Sequence, residues 1–119
     1  MGDRANVLVL DRSDGEVHKV YLYTHWGGVE LPLVVRDALE RAIDVWDDAQ
    51  YLARAIFCEM VEGEEMGCSG FGITSREWDG GKTVTVDPDK SEITLKSGKV
   101  YSFNEFAKMN KEQILKDWL

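Results

Sequence analysis

A chain of 119 residues, 44% hydrophobic and 30% charged, is sized for one globular domain that buries a core without disulfides or a structural metal. A formal charge of −8 without a basic stripe argues against direct binding to nucleic acid, and the acidic surface suits a basic protein partner instead. Two cysteines make no disulfide framework, no apolar run approaches the roughly 18 residues of a membrane span, and Met1-Gly2-Asp3-Arg4 lacks the apolar core of a secretory leader, so a cytoplasmic address is expected.

Ala5 to Leu10 is short, apolar and β-branched, which predicts a central strand buried on most of both faces. Asp14-Gly15 is a hairpin signal, and Val17 to Tyr23 is the return strand. Alternation puts Val20 and Leu22 on one face of it, Tyr21 and Tyr23 on the other. Gly27-Gly28 breaks this strand, and Pro32 suits the first turn of a helix. Leu31, Val35, Ala38, Leu39, Ala42, Ile43 and Trp46 recur at helical steps and mark its inward face. Asp47 or Asp48 caps a second helix, with Tyr51, Leu52, Ala55, Ile56 and Met60 inward and Gly63 as its stop. The short link predicts an antiparallel helix pair. Cys58 falls in that apolar run and reads as a small core residue.

Four short strands follow, at Phe71 to Arg76, Thr83 to Asp87, Glu92 to Lys96 and Lys99 to Ser102. Their separators, Asp79-Gly80-Gly81, Asp87-Pro88-Asp89 and Ser97-Gly98, are turn chemistry and predict a meander. Ser102 and Glu105 form a capping box for a last helix containing Phe103 and Phe106, and Asn110 recaps it before Ile114, Leu115 and Trp118. The expected fold is α+β: a single antiparallel sheet of about five to six strands, with an α-hairpin and a C-terminal helix packed on it, in the order ββααββββα.

The chemistry concentrates in Tyr21-Leu22-Tyr23-Thr24-His25-Trp26-Gly27-Gly28, where strand turns into helix. Glycine lets backbone approach a ligand closely, and a helix start offers free N–H groups to an anion. The hairpin sets Arg4 and Asn6 near Tyr21 and Tyr23. Arg4, Asn6, Tyr23, His25, Trp26, Gly27 and Gly28 are therefore the candidate ligand site, able to stack a ring and meet a phosphate or carboxylate. Glu30 at the same helix start opposes an anion, and the same aromatics also suit a packed bend. His25 has the chemistry of a general base, with Asp3 or Asp11 to orient it, but no nucleophile stands at diagnostic spacing. The loop Gly67-Cys68-Ser69-Gly70-Phe71-Gly72 matches no phosphate-binding motif and reads as a helix-to-strand connection. The acidic run Glu59, Glu62, Glu64 and Glu65 has no EF-hand spacing. His18, His25, Cys58 and Cys68 lack zinc-ligand spacing, so no metal and no cofactor are expected.

Met1 to Asn6, Tyr21 to Gly28, Leu31-Pro32, Tyr51-Leu52-Ala53-Arg54 and Gly70-Phe71-Gly72-Ile73 together resemble a family of small uncharacterised proteins of bacteria and their phages, which open with MGDRAN and carry YLYTHWGG. The resemblance covers most of the chain. It implies a phage-associated setting in the host cytoplasm and adds weight to host-interaction functions, but carries no activity with it.

Three functions fit these features. The first is a non-catalytic protein holding a small anionic or aromatic, nucleotide-like ligand at the corner, which in a phage setting would sequester a host defence signal. The second is an acidic inhibitor of a basic host nuclease, acting in the manner of an anti-CRISPR protein. The third is a small hydrolase with His25 as base. A homo-oligomer is compatible with all three.

Overall fold

The computed structural model describes residues 3–67, 69–77 and 82–119. Strands β1 (Ala5–Asp11) and β2 (His18–Thr24) form the expected hairpin, with Val7 across from Leu22. Gly15 supplies the turn with a φ of +89°, which glycine adopts without a Cβ clash. A 3-10 turn at Gly28–Glu30 leads into α1 (Leu31–Arg41), with Pro32 in its first turn. A second 3-10 turn, Ile43–Val45, precedes α2 (Ala49–Met60). The Asp48 side chain caps α2, accepting from the N–H groups of Gln50 and Tyr51, each at 3.1 Å.

The second strand group is β3 (Phe71–Thr74), β4 (Lys82–Asp87), β5 (Glu92–Thr94) and β6 (Val100–Ser102). Its helices are α3 (Phe103–Ala107), opened by the Ser102–Glu105 capping box, and α4 (Lys111–Trp118), capped by Asn110. The fold is α+β around one six-stranded sheet of order β3-β2-β1-β4-β5-β6.

That order corrects the expected meander. β3 pairs with β2 at the far edge, and β4 lies parallel to β1, with Val7 beside Val84, so the sheet is mixed rather than wholly antiparallel. Burial gives the reason. A central strand needs a neighbour on each edge, and β2 fills only one edge of β1. Val84 and Val86 are fully buried, whereas Ile73 is 62% exposed, so β4 takes the inner place and β3 the rim. The expected turn at Asp79-Gly80-Gly81 lies outside the described residues.

Helices cover one face. Ala5, Val7, Val9, Leu22, Val84, Val86 and Ile93 of the sheet pack with Val35, Leu39, Leu52 and Ile56 of the helix pair, and Phe103, Phe106, Ile114 and Trp118 close the far side. Three expected core residues are outside it. Ile43 is 61% exposed because α1 ends at Arg41 and the 3-10 turn changes the helical phase. Tyr51 is 63% exposed because Leu52 and Ile56, four apart, define the buried stripe of α2. Cys58, two residues past Ile56, is likewise exposed. No described helix is long and apolar enough to cross a membrane.

Candidate functional site

The ladder sets Asn6 directly across from Tyr23, and alternation carries Arg4 and His25 to the same face of the sheet, the one away from the helices. Asn6 is fully buried there, Tyr23 and His25 are half-buried, and Arg4 is exposed. The chain leaves β3 at Thr74, and by Glu77 its carboxylate lies 3.4 Å from the Thr83 hydroxyl on β4. Asn6 is enclosed, while Arg4, Tyr23 and His25 keep some exposure.

Beyond Thr24 the corner is wired from distant parts of the chain. The His25 N–H donates to the Gly70 carbonyl at 2.8 Å. His25 Nδ1 and Tyr23 Oη are 3.0 Å apart and share a hydrogen bond. The Trp26 indole stands edge-on to the imidazole, ring centroids 4.3 Å apart, and remains 66% exposed. The Gly27 N–H donates to Thr24 Oγ1 at 3.1 Å. The Gly28 N–H donates to the Asp3 carbonyl at 2.8 Å, and a Cβ on Gly28 would sit 2.7 Å from that same oxygen, so only glycine fits. The Gly28 carbonyl is buried and accepts from Trp118 Nε1 at 2.7 Å. The Trp118 ring also lies 5.5 Å from Lys82 Nζ, within cation–π range.

Two expectations change. The sequence predicts a helix start that offers free N–H groups to an anion, but Asp3 Oδ2 accepts from the Val29 N–H at 2.6 Å, and the N–H groups of Gly28, Glu30 and Leu31 are bonded within the corner. Asp3 is thus an internal carboxylate cap and does not orient His25, whose ring partner is Tyr23. Asp11 lies at the opposite end of β1. The parts of a general-base pair are present in the chain but not assembled.

A cavity of about 260 Å³ opens on the other side of Trp26, toward the helices. Trp26 and Gly27 border it, together with Glu30, Glu64 and Phe71, while Arg4, Asn6, Tyr23 and His25 do not. The seven candidate residues thus divide. Trp26 and Gly27 border the cavity, Arg4, Tyr23 and His25 lie outside it, and Asn6 and Gly28 are buried. A larger open groove of about 580 Å³ lies between α1 and α3, with Arg36, Glu40, Trp46, Lys108 and Met109 on its walls. Sequence reasoning missed it because those walls come from helices about 70 residues apart. The sequence marks Trp118 only as a residue of the last helix, and no local signal announces its bond to Gly28.

His18 and His25 stand at opposite ends of β2, too far apart for one metal ion, Cys58 is on α2, and Cys68 lies outside the described residues. The one donor group close enough to share an ion among the described residues is Asp14, Glu16 and His18, exposed, with ligand atoms within 4.8 Å of one another. No protein-family model, curated protein or solved structure matches the chain.

Proposed function

We propose that the protein is a non-catalytic binding protein that holds a nucleotide-like ligand on the Trp26–His25 corner. The ligand's ring stacks on the indole, and its anionic group meets Arg4. One observation carries this reading: Trp26 is 66% exposed although His25 packs edge-on to it and Tyr23 holds His25 in turn. An exposed indole fixed by its neighbours loses little conformational freedom on stacking, which favours affinity. Removing such a platform costs about 1–3 kcal/mol per stacked base.

The Asp3 cap removes the helix start as an anion site, so the charge contact falls to Arg4. In the phage setting implied by the opening and aromatic motifs, the protein would act in the host cytoplasm by withholding a nucleotide signal from a defence system. The test is calorimetric titration with nucleoside mono- and triphosphates and cyclic dinucleotides. Trp26→Ala and Arg4→Ala should each weaken a bound nucleotide about tenfold or more. No binding across the panel, or binding indifferent to both substitutions, refutes the reading.

The acidic-inhibitor reading has its own support in the carboxylates beside Trp26, Glu30 and Glu64, which favour a cationic partner. Hydrolysis by His25 has no such support.

A further inference from the structure

We infer that the cavity between Trp26 and α2 is a docking socket for an arginine side chain of a protein partner. It deepens the acidic-inhibitor reading and is separate from whatever stacks on the His25 side of the indole. Its floor is apolar, formed by Leu31 and Val34 of α1, Met60 of α2 and Phe71 of β3. Its mouth carries Trp26 and two carboxylates, Glu30 and Glu64. Among the described residues neither carboxylate is hydrogen-bonded or paired with a cation, and the Glu30 side chain makes no helix-cap bond although Glu30 is the N-cap residue of α1.

These parts match one side chain. An aliphatic stem needs an apolar floor, a guanidinium stacks on an indole, and its fork of N–H groups meets carboxylates. Lysine would fill the floor but has neither the plane nor the fork. Size points the same way. At about 260 Å³ the cavity is below the ~300–1,000 Å³ of pockets that enclose whole small molecules, and it suits a single residue presented from outside.

The surroundings favour a protein as the source. Val29 and Met66, one and two residues from the two carboxylates, are 42% and 95% exposed, and Glu62 and Glu65 add charge nearby. A free cation would leave that rim unused, whereas a peptide carrying the arginine would cover it. The net charge of −8 steers a basic partner toward the whole surface, and the socket then selects one residue.

The test uses the full chain and three probes: a tetra-arginine peptide, its tetra-citrulline counterpart and free arginine. Citrulline keeps shape and hydrogen bonding but removes the charge. Calorimetry should find binding of the arginine peptide, at least about tenfold weaker binding of the citrulline peptide, and much weaker binding of free arginine. The double variant Glu30→Gln/Glu64→Gln should weaken the arginine peptide about tenfold. Asp44→Asn/Asp47→Asn removes the same charge from a surface away from the cavity and should cost less than about threefold. In amide and indole NMR spectra the Trp26 N–H and the Phe71 backbone should move on titration. Equal losses in the two double variants, equal binding of the citrulline peptide, free arginine binding as well as the peptide, or shifts confined to Glu59 and Glu62 would each overturn the socket. Because the altered side chains are exposed and make no internal bonds, none of these outcomes hides behind misfolding. Nucleotide titration of the Glu30/Glu64 variant separates this socket from the Arg4 side, since the two share no charged residue.

Discussion

The two ends of the β1–β2 hairpin are held by different means. At the turn, the bonds of Asp11 and Asp14 stay within four residues, and one long-range bond, from the Arg12 guanidinium to Asp87 Oδ2 at 3.2 Å, ties the segment to β4. Asp11 Oδ1 accepts from the Ser13 N–H and hydroxyl at 3.0 and 2.7 Å, Asp14 Oδ1 from the Glu16 N–H at 2.9 Å, and Asp14 Oδ2 lies 2.7 Å from His18 Nε2. All of these Asp11 and Asp14 bonds are exposed. At the corner, beside the local Thr24–Gly27 and Tyr23–His25 bonds, others come from Asp3, Gly70 and Trp118, the last of them 90 residues from Gly28. Apart from the Arg12–Asp87 pair the turn is held by its own sequence, and the corner depends on the rest of the chain folding around it. Substitutions at the two ends should therefore differ in cost, and the differences can be measured.

The largest effect is expected at Trp118. Trp118→Ala empties a fully packed site and leaves the Gly28 carbonyl with the Leu31 N–H as its one donor, at about 3–5 kcal/mol in denaturant unfolding. Trp118→Phe keeps most of the ring but loses the N–H, at about 1–3 kcal/mol. A cost below ~1 kcal/mol for the alanine variant would mean that α4 does not pin the corner, and the contrast between the two ends would fail.

Two glycines sharpen the comparison. Gly28→Ala brings a Cβ to 2.7 Å from the Asp3 carbonyl, a backbone clash expected to cost about 1–3 kcal/mol. Gly15 has open space around it, and its requirement is only a φ of +89°. Gly15→Asn should accordingly cost less than Gly15→Ala, because asparagine tolerates positive φ. Asparagine at position 28 should be no better than alanine. A rescue by asparagine at both positions would show that room is not what Gly28 supplies.

Asp3→Ala is next in size. It removes the acceptor of the Val29 N–H at the start of the 3-10 turn, and loss of such a cap costs about 1 kcal/mol. The corresponding loss at the turn, Asp14→Ala, should fall within about 0.5 kcal/mol because its bonds are exposed and stay within four residues, so they join no distant parts of the chain. Thermal melts of the two variants side by side test the ordering.

The same contrast decides how much of this protein was legible in its sequence. Local devices could be read: the Ser102–Glu105 box, the Asn110 recap, the Gly63 stop with its φ of +86°, and the hairpin glycine all lie where spacing and residue type put them. Strand limits were legible to within a residue or two for the same reason. Sheet order was not, because the parallel pairing of β1 with β4 reflects which strand has the more buried surface, and a turn signal carries no information on that. At the corner the sequence located the aromatic cluster but not its sides. That Asp3 would fill the helix start, and that Trp26 would border an acidic cavity, depend on contacts between residues far apart in the chain.

The smallest expected effect is in the pH dependence of the turn. The Asp14 carboxyl is held below the ordinary aspartate value of 3.8 first by the Glu16 backbone N–H and then by the bond to His18, and Asp11 is held below 3.8 by the backbone and side chain of Ser13. Both carboxylates hold fewer protons folded than unfolded at a given pH in this window. Their contribution to stability is therefore fully present above about pH 3.8 and is lost as pH falls through the lower folded values. Exposure keeps the effect small. In an NMR titration the Asp11 and Asp14 carboxyl carbons should show midpoints below 3.8, and the Ser13 and Glu16 amide protons should shift with the same midpoints. The Gly28 and Trp118 indole N–H resonances should stay fixed over that range as long as the protein remains folded. Corner resonances that titrated together with Asp14 would mean that the two ends of the hairpin are coupled along the strands, against the separation argued from their bonding.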